Sequence, residues 1–422
     1  MNGSKPEVKW RKGYNPDRII DEIRKSSDSN DAFEMRFWRS TLYTALERTS
    51  QSDPRHIADI NQALAKLKQA TRDDFEKVYL EIKGAKRDAE KWLVAFPIWG
   101  QHWYIPQECK IRNCTLRPAH FYDQDISTKV RTERSSILEA RGVDRFHRDF
   151  IEDDSTPLLL TSVVACSAEE AFEAAYNSAT ILLAIISLST NMGSRTITLG
   201  APPSPVSKIL IAPGMTIHRE TGEKVNSTIW TTEWNKLRNE VAPATFPQPK
   251  SESRLLKAID RISKNPWRED AEIALQYSYD SFGSFSPFDT LWSGWRLLEH
   301  IGGRQGDKSE KIIKRAAFLS RDPERTEILG RHLLERRNQA IHAFETNTED
   351  GEEIMFQMRD LTFPLSRGFL FNHHNLQTKY EFWDMLDLPH DVEHIQQQIS
   401  LRETGIKIRR RLTDTVAPRD SA

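Results

Sequence analysis

Apolar residues recur every three or four positions through the first part of the chain, where Phe33, Phe37, Leu42 and Leu46 form one series and Ile57, Ile60, Leu64 and Leu67 another. That period predicts amphipathic helices over residues 17–90, with Ser52-Asp53-Pro54 marking a helix start between the two series. The pattern changes at Trp92. Residues 92–98 form a continuous apolar run of strand length, and further strands are expected over 111–116, 157–166, 209–217 and 227–232. Between them, Ser167-Ala168-Glu169-Glu170 has the spacing of a capping box and predicts a long helix reaching about Ser189. Pro243, Pro247 and Pro249 then interrupt any regular element, so 241–253 reads as a linker, with Lys250-Ser251-Glu252-Ser253 opening the next helix.

This order predicts an α+β, predominantly helical protein: a helical region over 1–90, an α+β module over 91–245, an all-α bundle over 251–402 and a basic flexible tail over 403–422. No internal repeat of convincing length appears.

In the expected bundle, charge breaks the pattern twice. On a helical wheel for 325–344, Gly330, Leu333, Leu334, Arg337, Ala340, Ile341 and Phe344 share one stripe, so Arg337 sits amid apolar residues. One helix earlier, Phe288, Trp292 and Trp295 define an apolar face on which Glu299 lies. Glu299 is therefore the expected partner of Arg337. A guanidinium removed from water costs several kcal/mol unless it is paired or used. A buried structural ion pair, with His342 as a solvated or capping histidine, satisfies that requirement. So does a catalytic centre, because an arginine holds phosphate through its planar fork and a histidine moves protons near neutral pH. In an ideal helix Arg337 and His342 point about 140° apart, whereas Asn338 and His342 differ by about 40°. A shared phosphate then needs either a distorted helix or two copies of the helix facing across a two-fold axis, with Asn338 orienting the imidazole.

Three segments together resemble a HEPN domain: an aromatic-containing helix over 271–280, the run Trp292-Ser293-Gly294-Trp295-Arg296-Leu297-Leu298-Glu299, and Arg337-Asn338-Gln339-Ala340-Ile341-His342 with its Arg-x4-His spacing. The resemblance covers roughly 270–372 and implies a homodimeric, metal-independent endoribonuclease that uses no cofactor. It assigns Arg337, His342, Asn338 and Glu299 to the site, with RNA as substrate. It also implies a place in phage defence or a toxin-like stress response, an N-terminal sensing module and a phage-derived trigger or regulatory protein. Some members keep the fold only as an inactive dimerisation scaffold, which is the alternative reading.

Composition limits the remaining classes. The 60 Lys+Arg and 61 Asp+Glu balance, so no global polyelectrolyte character favours RNA. Locally, 304–337 holds ten basic residues against six acidic, and 345–393 three against eleven. Solvated helix faces account for the basic stretch; a groove for RNA is the alternative. Cys109, Cys114 and Cys166 form neither a disulfide framework nor a zinc motif. The polar N-terminus and the short apolar run at 179–188 point to a cytoplasmic protein without a membrane span. His373, His374, Asp384, Asp387, His390, Asp391 and His394 read as solvated groups rather than metal ligands, and no phosphate loop is present, since Gly302-Gly303-Arg304-Gln305-Gly306 reads as a helix terminator. Trp92, Phe96, Trp99, Trp103 and Tyr104 are expected in the core, and Lys407 with Arg409, Arg410 and Arg411 in the flexible end.

Overall fold

The computed structural model describes residues 8–28, 32–47, 56–66, 71–84, 89–100, 107–141, 157–190, 204–225, 229–230, 249–343 and 351–416. It is an α+β fold in which helices predominate over a small antiparallel sheet. Two compact units are present: residues 1–97, 110–178 and 213–235 form one, and 98–109, 179–212 and 236–422 the other.

The first unit begins with helices α1 (Pro16–Asp28), α2 (Ala32–Ala45), α3 (His56–Lys66) and α4 (Arg72–Gly84). Their apolar stripes meet in one core of Ile19, Ile23, Leu42, Leu46, Ile60 and Phe75. Phe37 departs from its expected stripe: it is 53% exposed and lies edge-on against Trp38. Ser52-Asp53-Pro54 and Leu67 lie outside the described residues, as do the side chains of Phe33 and Ile57. The sheet is built on β1 (Glu90–Gly100), which is buried almost throughout, as its apolar run requires. Residues 90–97 of β1 pair antiparallel with β4 (Leu158–Ala165), itself paired with β3 (Cys114–Pro118). On its other edge, residues 92–95 pair with β6 (Thr216–Arg219).

Two expected strands are each divided by a turn. The 111–116 strand becomes a hairpin of β2 (Cys109–Ile111) and β3, turning at Arg112, whose φ of 55° is left-handed. The 209–217 strand becomes β5 (Ile209–Ile211) and β6, parted at Gly214, where φ of 83° suits glycine. Of the strand expected over 227–232, Trp230 bridges Met215, while 226–228 and 231–248, including most of the expected linker, lie outside the described residues. Between β3 and β4 comes α5 (Gln124–Arg141). The fully buried Arg134 of α5 is bonded from Nη1 to Gly214 O at 2.5 Å and to Thr216 Oγ1 at 3.0 Å.

The capping box is present: Ser167 Oγ accepts from Glu170 N at 3.2 Å, and Glu170 Oε2 accepts from Cys166 N at 2.9 Å. It starts α6 (Ala168–Thr190), which extends well beyond its most apolar run at 179–188. By length and composition 168–189 is the one segment among the described residues apolar enough to cross a membrane, yet 72% of its window is buried inside the protein. Trp92 and Phe96 are in the core and Trp99 is half-buried, whereas Trp103 and Tyr104 lie outside the described residues.

The second unit is largely helical: α7 (Pro249–Ser263), α8 (Arg268–Phe282), α9 (Pro287–Gly302), α10 (Ser309–Phe318), α11 (Pro323–Ala343), α12 (Gly351–Phe371), α13 (Lys379–Leu386) and α14 (Val392–Val416). Helix α9 is central and packs on α8 and α12. The approach is close because of Gly294: a Cβ there would lie 2.5 Å from Met358 Cγ and 2.9 Å from Ser281 Oγ. Helix α14 continues unbroken past 402, so Lys407, Arg409, Arg410 and Arg411 lie on a helix, and its described side chains are exposed except half-buried Ile395 and Gln398.

One polar cluster fastens the end of α9. Arg315, with a side chain 1% exposed, donates from Nε and Nη2 to the two carboxylate oxygens of Asp387 at 2.6 and 2.8 Å. Its Nη1 reaches Asp307 Oδ2 at 2.7 Å and Gly302 O at 2.5 Å, satisfying a carbonyl that the helix end leaves open. Burial opposes ionisation of Asp307, yet the Arg304 backbone N–H together with Arg315 and Lys311 holds its carboxyl below the usual carboxylate range, and Asp387 is held there chiefly by Arg315, against burial and with help from Lys311. Asp384 meets Arg304 in the same cluster. Asp384 and Asp387 therefore answer to arginines, and among the described residues no three metal-ligating groups gather.

Candidate functional site

Helix α9 carries Glu299, and its ends are defined by sequence. Ser286 Oγ accepts from Asp289 N at 3.2 Å with Pro287 in the first turn, and Gly303 N closes the last turn on Glu299 O at 2.9 Å. Helix α11 carries Arg337. It opens with Asp322 Oδ1 accepting from Arg325 N at 3.1 Å, followed by Pro323. Gly330 lets it lie against α10, since a Cβ there would stand 2.5 Å from Ile313 Cγ2.

The two charged residues singled out on their helical wheels come together: Arg337 Nη1 is 3.6 Å from Glu299 Oε1. The pair is not buried, however. The Arg337 side chain is 23% exposed and that of Glu299 45%, so it lies at the rim of the α9–α11 contact. Depth along the stripe explains the difference. Leu333 is fully buried and Leu334 half-buried, while on α9 the core positions include Leu291, Gly294, Trp295, Leu297, Leu298 and Ile301. Phe288 and Trp292, expected on the apolar face with Trp295, are 39% and 42% exposed.

Wheel positions alone did not reveal what holds Arg337. Its guanidinium carbon is 5.2 Å from the ring centre of Trp295 and 5.9 Å from that of Trp292, within cation–π range of both. Trp295 in turn donates from Nε1 to Glu299 Oε1 at 2.9 Å. Two indoles and a carboxylate thus hold the guanidinium of a side chain that is 23% exposed. The available signal was the spacing Trp292, Trp295, Glu299, which puts all three near one helical face. Phe288 and Trp292 stack nearly parallel, at 15° and 6.5 Å between centroids, as a surface aromatic shelf beside the arginine.

Asn338 is exposed on α11. His342 falls in the last turn of the same helix, and its side chain, like those of Ala340 and Ile341, lies outside the described residues; so does Phe344. The α11 backbone is helical without interruption from Pro323 to Ala343, so no break in it redirects Arg337 towards His342. His300, adjacent to Glu299, faces α8 instead, with Nε2 2.9 Å from Asp270 O, and burial holds it below the usual imidazole range. No family model, curated protein or solved structure matches the chain.

Proposed function

We propose that the protein is a metal-independent endoribonuclease of HEPN type. The observation that carries this reading is the presentation of Arg337: a guanidinium held by Trp292, Trp295 and Glu299 on a side chain of α11 that stays partly exposed, five residues before a histidine. The resemblance of 270–372 to the family supplies the roles. Arg337 neutralises charge developing on a substrate phosphate, and His342 transfers protons with Asn338 orienting its ring. The ribose 2′ oxygen forms a bond to phosphorus as the bond from phosphorus to the 5′ oxygen breaks. The 2′ proton passes to one imidazole and the departing 5′ oxygen takes a proton from another. Because α11 is unbroken, positions 337 and 342 stand about 140° apart around an ideal helix, which favours a homodimer in which two copies of the helix share a substrate. The exposed Phe288 and Trp292 offer an unpaired base a stacking surface beside Arg337, supporting single-stranded RNA as substrate. The same resemblance supports a role in phage defence or a toxin-like response, with the module over 91–245 sensing a phage-derived trigger, and the cysteine usage and polar N-terminus support a cytoplasmic setting.

The test is incubation of wild-type, Arg337→Ala and His342→Ala protein with tRNA and bulk RNA in EDTA, followed by analysis of the ends. Cleavage leaving 2′,3′-cyclic phosphates, lost in both variants, is expected. Cleavage that stops on chelation, or survives in both variants, refutes the mechanism. The engagement of Arg337 by two indoles also suits a second reading, a catalytically inactive dimerisation scaffold, under which the purified protein cleaves no RNA and both variants remain dimeric.

A further inference from the structure

On another part of the second unit, helix α7 and the turn after α12 enclose a cleft of about 460 Å3. That volume falls within the roughly 300–1,000 Å3 of small-ligand sites. Lys257 and Arg261, four apart on one face of α7, line it together with Lys264 in the turn that follows the helix, and Phe371, Asn372 and Asn375 line it opposite. The walls are tied together: Asn265 Nδ2 donates to Phe369 O at 3.0 Å and Leu370 O at 3.1 Å. Asn372 is bonded both ways to Leu376, through Nδ2 to Leu376 O at 2.8 Å and from Leu376 N to Oδ1 at 2.9 Å, which fixes the turn.

The charge within the cleft is unbalanced. Asp260 is its one carboxylate, and Oδ2 of that residue is taken by Lys264 Nζ at 2.8 Å. Arg261 Nη1 lies 2.9 Å from His373 Nδ1, which accepts this bond as an uncharged nitrogen and leaves the guanidinium charge uncompensated. Burial and the cations Arg261 and Arg367 hold His373 below the usual imidazole range, consistent with a neutral ring. Among the described residues no carboxylate lies within ion-pair distance of Lys257 or Arg261. Three cations against one carboxylate leave an excess matching a phosphate monoester, which carries about −1.5 to −2 at neutral pH, better than a singly charged diester. A planar fork beside a flexible ammonium is the usual protein clamp for such a group.

We propose that this cleft binds the phosphate monoester group of a small molecule, clamped by Arg261 and Lys257, with the Asn375 amide as a further donor and Pro266 and Phe371 bounding the rest of the ligand. The proposal is independent of RNA cleavage at Arg337. It is tested by isothermal titration of the full chain with inorganic phosphate at constant ionic strength. Wild-type protein is compared with Arg261→Gln, Lys257→Gln and Lys314→Gln, the last removing one exposed cation elsewhere on the same unit. Saturable binding of one phosphate per chain is expected, weakened at least tenfold by Arg261→Gln and at least threefold by Lys257→Gln, and unchanged by Lys314→Gln. All three side chains are exposed, and circular dichroism verifies that the variants fold. Absence of saturable binding, or equal weakening in all three variants, overturns the proposal. So does displacement of phosphate at lower concentration by a 5′-hydroxyl oligoribonucleotide, whose phosphates are all diesters, because that result makes the cleft a strand-binding surface.

Discussion

Replacing Arg337 and Arg315 separately by methionine tests the proposed site role of Arg337, because the second unit holds one part-exposed arginine pair and one buried one. Methionine keeps most of the apolar stem and removes the charge. At Arg337 the ion pair spans 3.6 Å between side chains 23% and 45% exposed, so it contributes about 0–1 kcal/mol. The two indole contacts, at 5.2 and 5.9 Å, add about 0.5–1 kcal/mol each at a surface position. Because these contacts share one guanidinium they are not additive, and a total of about 1–2 kcal/mol follows. At Arg315 the side chain is 1% exposed and its removal strands Asp307, Asp387 and the Gly302 carbonyl. Breaking a buried pair costs about 3–5 kcal/mol. Lys311, 3.3 and 3.4 Å from the two carboxylates, relieves part of it and favours the lower end. A domain of this size loses roughly 2–4 °C of Tm per kcal/mol. Calorimetry is therefore expected to show a fall of roughly 2–8 °C for Arg337→Met and roughly 6–16 °C for Arg315→Met. RNA cleavage is expected to fall by about 10²–10³ in Arg337→Met, the usual loss on removing one charge-stabilising donor. In Arg315→Met it should persist below the new Tm. A larger Tm loss at Arg337 than at Arg315, with no change in cleavage, would mean that Arg337 is a strut and refute the argument from exposure.

Three further outcomes follow from the same structure. Trp292→Ala removes half of the aromatic shelf and is expected to weaken single-stranded RNA binding by about 1–3 kcal/mol, read by fluorescence anisotropy at fixed salt, with duplex binding unchanged. Gly330→Val drives side-chain carbons into Ile313, whose Cγ2 already lies 2.5 Å from an added Cβ, and is expected to cost about 1–3 kcal/mol in urea unfolding. His218, fully buried between Thr216 Oγ1 at 2.8 Å and Gly222 O at 3.1 Å, has its pKa pushed down to about 4 by burial and then by Arg134. Between about pH 6.5 and 4 the unfolded chain takes up a proton that the folded chain refuses. Stability should therefore fall as pH falls through that window, by up to roughly 3 kcal/mol, and the slope should flatten in His218→Gln.

What the linear sequence determined was local. The period of Leu42, Leu46 and Ile60 marked their helices, the Ser167 and Glu170 spacing started α6, and the glycines after Glu299 ended α9. Each depends on neighbours within one or two turns, so propensity and capping suffice. The division of 111–116 and 209–217 into paired strands was less visible, because a continuous apolar run conceals a turn that left-handed Arg112 and Gly214 permit. Tertiary structure alone decided depth and partnership. Periodicity says which way a residue faces but not how far the neighbouring helix covers it, so Phe37 and Trp292 share apolar stripes yet are exposed. The meeting of Arg337 and Glu299 was legible from two matching anomalies. That it is a rim pair clasped by two indoles, whereas the unremarked Arg315 is the buried hub, depended on where α9, α10 and α11 cross, because burial and ion pairing are set by contacts between residues distant in sequence.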